Sequence, residues 1–175
     1  DAVILATGSF PVAARIPGID TGRVFDARDV LTGRTELESP AVVLGAGYVG
    51  METADFLLAR GVKTVIIEMK PFMPVGKLRA HDYWLHKRIR EAGGRIICGA
   101  TVKSIGPEGV VYTLNDEERV EPASMVVTAM GAKPADSLEE ALRQMGIPCR
   151  RVGDARSPRR LFDAIHEGHR AGREV

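Results

Sequence analysis

Ala41-Val42-Val43-Leu44-Gly45-Ala46-Gly47-Tyr48-Val49-Gly50, followed by Met51 to Arg60 and then Gly61-Val62-Lys63-Thr64-Val65-Ile66-Ile67-Glu68, decides the fold. Four apolar residues of strand length run straight into a glycine loop. Beyond it, Met51, Ala54 and Leu58 recur at helical spacing, Phe56 and Leu57 widen the same face, and Gly61 is placed to end the helix. A second apolar strand, Val62 to Ile67, ends at Glu68. The order strand, glycine loop, helix, strand, acid is that of a dinucleotide-binding unit. Gly45 allows the tight turn, Gly47 lets backbone approach a pyrophosphate, and Gly50 lets the helix sit close to the sheet. The helix start offers free N–H groups and partial positive charge to phosphates. Glu68 stands where a carboxylate accepts the ribose hydroxyls of NAD(H), and Met69 and Lys70 follow it into the same loop. Lys70 could swing toward a 2′-phosphate, although a lysine facing solvent is the plainer reading.

Working outward, Asp1 to Ala6 reads as a buried-strand run stopping at Thr7-Gly8-Ser9, with Pro11, Pro17 and Gly18 as a connector. Helix signals lie at Asp26 to Leu31, and Gly33 to Pro40 is a linker. After Pro71, Pro74 and Gly76 a second helix places Leu78, Leu85, Ile89 and Ala92 on one stripe, with Tyr83 and Trp84 expected to pack on it. Gly93-Gly94 ends it before the strand Arg95 to Cys98. Thr101–Ile105, Gly109–Leu114 and Arg119–Glu121 read as an antiparallel meander turning at Gly106-Pro107 and Asn115-Asp116. The strand Met125 to Ala129, a helix around Leu138 to Met145 and a short strand reaching Val152-Gly153-Asp154 follow. Ser157-Pro158 should cap a last helix whose Leu161, Ile165, Gly168 and Gly172 share a face. The fold class is therefore α/β: a Rossmann-like nucleotide-binding domain with a parallel sheet and an antiparallel meander.

Composition narrows the function classes. With 24 basic and 23 acidic side chains the formal charge is +1, which gives no electrostatic footprint for nucleic acid or an anionic membrane. No run of about 18 apolar residues occurs, and a cytoplasmic location is expected by default. Cys98 and Cys149 are too far apart for a C-x-x-C motif, and Cys98 reads as a small buried hydrophobe ending its strand. His81 and His86 diverge on their helix, while His166 and His169 share a face without a third ligand, so no metal site is expected.

Four signals in order, Ala6-Thr7-Gly8, Gly45 to Gly50, Ala129 to Pro134 and Gly153-Asp154, resemble the flavin-dependent pyridine nucleotide oxidoreductases with two dinucleotide-binding domains. The stretch from Val152-Gly153-Asp154-Ala155 through His166-Glu167-Gly168 is most similar to the C-terminal part of 2,4-dienoyl-CoA reductase, 2-enoate reductase and trimethylamine dehydrogenase. The resemblance implies an NAD(H)-binding domain (36–127) inserted into an FAD-type domain, of which 1–35 and the return segment 128–175 would be parts. It implies that Ala6, Thr7 and Gly8 lie on the flavin side, that Asp154 meets the flavin's ribityl chain or pyrophosphate, that Gly153 gives that loop its close approach, and that Gly131 is a further cofactor-binding residue. Glu52 matches a position near the nicotinamide end in relatives; a first-turn acid complementing the helix dipole explains it too.

The first glycine fingerprint of the family, which holds the FAD pyrophosphate, is not in the sequence. The chain is accordingly expected to be a C-terminal piece of a longer enzyme, inactive alone and without stoichiometric FAD, whose partners are upstream flavin and substrate domains of the same polypeptide. The expected activity is an electron-entry module that passes hydride from NADH to flavin and needs no catalytic residue of its own. Two alternatives stay open: a non-catalytic module holding ADP, as in an amine dehydrogenase-like flavoprotein, and a fragment of a disulfide reductase. The absence of a dimerisation domain weighs against the last.

Overall fold

The computed structural model describes residues 2–76 and 79–174. Strands β1 (Val3–Leu5), β2 (Ser9–Pro11) and β3 (Val24–Asp26) and helix α1 (Ala27–Leu31) precede β4 (Ala41–Leu44), α2 (Tyr48–Leu58) and β5 (Thr64–Glu68). Then come α3 (Ala80–Glu91), β6 (Arg95–Cys98), β7 (Thr101–Gly106), β8 (Gly109–Leu114), β9 (Glu117–Pro122) and β10 (Met125–Thr128). The order ends with β11 (Ala132–Pro134), α4 (Ser137–Gln144), β12 (Cys149–Arg151), a 3-10 turn over Gly153–Ala155, and α5 (Leu161–Arg173). The chain forms two compact units, one of residues 1–12 with 132–175, the other of residues 13–131.

In the 13–131 unit, five parallel strands lie in the order β3-β10-β4-β5-β6. Side chains alternate across such a sheet, and here both faces are covered. Ala41 and Val43 of β4, Ile66 of β5 and Met125 and Val127 of β10 join Met51, Ala54 and Leu57 of α2 and Leu85 and Ile89 of α3. Val42, Leu44, Ile67 and Val126 face the other way, onto Ile105, Val110 and Tyr112 of the meander. Helices, sheet and meander thus make three layers, with every residue of β4 buried between them.

The expected domain boundaries at 35/36 and 127/128 fall inside this unit. Residues 13–35 are bound into it because Val24, Phe25 and Asp26 pair with Val126, Val127 and Thr128, and the Ile105 N–H donates to the Pro17 carbonyl at 2.8 Å. Asp26 also caps α1, its carboxylate accepting from the Arg28 N–H at 2.9 Å.

Several segments differ from the sequence expectation. β5 starts at Thr64, because the Val62 N–H closes the end of α2 onto the Leu57 carbonyl at 3.1 Å. β9 runs longer than Arg119–Glu121: Asn115 and Asp116 both take positive φ, 53° and 63°, and this two-residue turn lets pairing begin at once with Leu114 opposite Glu117. Asp1 and Leu78 lie outside the described residues. Tyr83 and Trp84 are half-exposed rather than packed inward; they meet edge to face at 5.5 Å, with the Lys87 ammonium over the indole.

In the other unit β1 pairs in parallel with β12, and β2 pairs antiparallel with β11. The region of Pro11 is thus a short strand and not only a connector. A proline fits there because that sheet is two-stranded and each strand has a free edge. α5 begins at Leu161, not at Ser157-Pro158, because the Asp154 carboxylate holds the Arg159 N–H at 3.1 Å and keeps that stretch in the loop. The expected face of α5 is also corrected: Leu161 and Ile165 are exposed, and Ala171 is the buried residue of the helix.

Candidate functional site

Every polar feature of the glycine loop follows from how Gly45 to Gly50 leaves the sheet. Gly45 takes φ +105°, a left-handed conformation that side chains avoid, and a Cβ there would stand 2.5 Å from the Ala129 carbonyl oxygen. At Gly50 a Cβ would stand 1.9 Å from the Gly45 carbonyl oxygen, so α2 reaches the sheet only because that residue is glycine. Gly47 differs: nothing lies within 4 Å of a Cβ built on it, so this flank of the loop is open. Gly47 also begins α2 without any side-chain cap, which leaves the first-turn N–H groups available to an anion. Val49 is half-exposed beside it.

Glu68 is 8 % exposed, and each of its oxygens already has a backbone donor. Oε2 accepts from the Ala46 N–H at 2.8 Å, inside the loop, and Oε1 accepts from the Lys70 N–H at 2.8 Å. A carboxylate has about four lone-pair positions, so two remain. Met69 and the Lys70 side chain are exposed beside it. Glu52 lies beyond the first turn of α2, where the dipole argument loses force; its neighbour is His81, at 3.6 Å.

Sequence reasoning did not single out Asp82, which is 3 % exposed on α3. Its two oxygens accept from the Tyr48 hydroxyl at 3.0 and 3.1 Å, and the Arg79 Nε–H donates to it at 3.0 Å. The Arg79 Nη2 also contacts the Tyr48 hydroxyl. Burial, and then the Asp82 carboxylate, raise the pKa of the Tyr48 phenol. No local pattern marks this trio, since Tyr48 and Asp82 meet only through tertiary packing.

Cys98, opposite Glu68 in the β5/β6 register, is half-buried with its Sγ 3.4 Å from the Met73 Sδ. Burial first and the Glu68 charge second push its thiol pKa up. With Cys149 replaced by serine, alkylation of Cys98 should therefore accelerate only above the ordinary thiol pKa of about 8.5. A rate profile with its midpoint at or below that value would contradict the burial and charge seen here.

In the 1–12/132–175 unit the Thr7 hydroxyl donates to the Ala135 carbonyl, and the Gly8 carbonyl accepts from the Ala135 N–H at 2.9 Å. The Ser9 hydroxyl donates to Asp154 at 3.1 Å, joining the Thr7-Gly8-Ser9 turn to Gly153-Asp154. Ala6 is exposed at the end of β1. Glu167, quoted above only for the resemblance it carries, holds the Gly153 loop: it accepts from the Gly153 N–H at 2.8 Å and pairs with Arg156 and Arg159. Those cations, Arg159 foremost, lower its pKa. Gly131, with φ +99°, closes the 13–131 unit.

Residues 1–156 match the family described as pyridine nucleotide-disulphide oxidoreductase. An NADH oxidase of Thermoanaerobacter brockii is 33% identical over 181 residues, which cover 100% of this chain and 28% of the oxidase. A cinnamate reductase of Clostridium sporogenes is 30% identical over 179 residues, 100% of this chain and 26% of that protein. Among solved structures, a 2-naphthoyl-CoA reductase in complex with 2-naphthoyl-CoA superposes with a TM-score of 0.89 at 24% identity, over 100% of this chain and 27% of its own. The chain thus spans just over a quarter of the length of each of these proteins.

Proposed function

This chain belongs to the pyridine nucleotide-disulphide oxidoreductase family, and on that footing we propose that its 13–131 unit is the NADH-binding, electron-entry module of a multidomain flavoprotein. The observation that carries the reading is the loop itself. Gly45 and Gly50 have no room for a Cβ, Gly47 faces open space, and the uncapped start of α2 presents N–H groups beside a buried acid. That set fits a dinucleotide: the Gly45–Gly50 loop, with Ala46, Tyr48 and Val49 as its intervening residues, would hold the pyrophosphate. The remaining lone pairs of Glu68 would accept the ribose diol, Met69 and Lys70 would flank the adenosine, and Glu52 would lie toward the nicotinamide end. Ala6, Thr7, Gly8, Gly153 and Asp154 would serve the flavin side, with FAD completed by other parts of the full-length polypeptide, and Gly131, at the end of the 13–131 unit, would be a further cofactor-binding residue.

Nicotinamide and flavin supply the hydride chemistry when bound; the residues of this chain bind, orient and exclude water. No side chain here is assigned an acid, base or nucleophile role. Similarity to a cinnamate reductase supports an alkene conjugated to a carboxyl or carbonyl group as the substrate class of the whole enzyme. The reducing site for that alkene would lie outside these residues.

Calorimetric titration of the purified chain with NADH tests the reading. Reversible saturable binding of one NADH is expected. A nucleotide that copurifies and is not displaced by excess NADH would instead establish the structural ADP role, and absence of any binding would remove both.

A further inference from the structure

We infer that Tyr48 and Asp82 are positioning residues for the diphosphate of the bound nucleotide, bracing the glycine loop from the α3 side; this rests on the nucleotide reading above. Gly47, the open residue of the loop, stands between two tethered neighbours. Ala46 is held through its N–H by Glu68 at 2.8 Å, and Tyr48 is held through its hydroxyl by Asp82 at 3.0 and 3.1 Å. One tether reaches from the sheet, the other from a helix. Between them the backbone that meets the phosphates has little freedom left, so the cost of ordering it is met before the ligand arrives.

Helix docking alone does not require the second tether. Met51, Ala54 and Leu57 of α2 and Leu85 and Ile89 of α3 are all at most 1 % exposed and already pack α2 and α3 into one cluster. A nearly buried carboxylate is costly unless it is satisfied. Asp82 meets that cost with the Tyr48 hydroxyl and the Arg79 guanidinium, and it does so at the first residue of α2, where phosphate would sit. Arg79 serves here as the counter-charge of Asp82, its Nε–H donating to the carboxylate that also holds Tyr48. The Tyr48 ring, half-buried against the core, transmits the hold to the helix start.

The test uses the 175-residue chain, wild type and with Tyr48→Phe, Asp82→Asn and both, titrated with ADP and with adenosine by ligand-observed NMR. Each single substitution should weaken ADP by about 5- to 10-fold, the double by no more than either, because both remove one interaction. Adenosine, which lacks the diphosphate, should bind all four proteins alike. Unchanged ADP binding in a folded Tyr48→Phe protein would overturn the inference. So would an equal loss for adenosine, which marks general damage, or an additive double variant. Should Asp82→Asn fail to fold, Tyr48→Phe decides alone, since it keeps the ring and removes only the hydroxyl. Wild-type protein that binds no ADP would overturn the nucleotide reading itself, an outcome visible before any variant is made.

Discussion

Gly50→Ala should lower NADH affinity by about 100-fold or more, because a single methyl group there has nowhere to go. Its Cβ would stand 1.9 Å from the Gly45 carbonyl oxygen and 3.0 Å from the carbonyl carbon, both of them backbone. Gly45 cannot retreat: its N–H is bound to the Ile67 carbonyl at 2.8 Å, and its own Cα faces the Ala129 carbonyl. The start of α2 must therefore lift off the sheet by an ångström or so, carrying its N–H groups out of register with the phosphates. Overpacking of this kind costs about 1 to 3 kcal/mol of stability, so the variant should remain folded with a lowered Tm. Gly47→Ala supplies the contrast. Its φ of −69° suits any residue and its Cβ position is empty, so stability should hold while the methyl group stands where the pyrophosphate would approach. Calorimetry with NADH, alongside circular dichroism, separates the two. A folded Gly50→Ala protein binding NADH within about threefold of wild type would refute the placement of the site.

Glu68→Ala should weaken NADH by about 10- to 100-fold and erase most of its advantage over NADPH, since hydrogen bonds to a charged group are worth about 1.5 to 3 kcal/mol. The ribose diol loses its acceptor, and the 2′-phosphate of NADPH loses the like charge it would otherwise meet. The structure adds a second component. The same carboxylate secures the Ala46 and Lys70 N–H groups, so its removal also leaves the Ala46 donor buried without its partner and loosens the loop. Loss of that bond should cost about 1 to 3 kcal/mol of stability. Glu68→Gln, with one carbonyl oxygen in place of two, can serve only one of the backbone donors and should fall between. Paired titrations with NADH and NADPH measure both the loss and the ratio. If wild type binds NADPH as well as NADH, or Glu68→Ala leaves the ratio unchanged, the acid does not read the ribose.

The sequence made the sheet and the loop readable because their signals are local. Ala41 to Leu44 is an uninterrupted apolar run, and Gly45, Gly47 and Gly50 have fixed spacing. Asn115-Asp116 marks a hairpin whose turn the structure shows. Three-residue strands such as β2, β3 and β11 are too short to show a period, and β2 and β11 each contain a proline. The tethers were hidden for a different reason. Ala46 with Glu68, Tyr48 with Asp82 and Gly153 with Glu167 each join residues at least 14 apart in the chain, and no propensity encodes a pairing of that kind. Glu68 was thus recognised as a ligand candidate while its structural role went unread. The start of α5 was misplaced because Ser157-Pro158 has the composition of a cap, but Asp154 holds the backbone there in a loop.

The burial of β4 on both faces has a further consequence. In a half-solvated strand, polarity decides which residues turn inward, but Ala41, Val42, Val43 and Leu44 offer no polar side to choose by. Their alignment is instead proofread by volume. The smaller pair, Ala41 and Val43, lies under the helices, and the larger pair, Val42 and Leu44, lies under the meander. A slip by one residue would exchange the pairs, pressing a leucine into the place of a smaller side chain on the helix face and leaving a void where the leucine had packed against the meander. Because the glycine loop leaves from the end of this strand, the same size code that aligns β4 also determines where the nucleotide-facing turn begins.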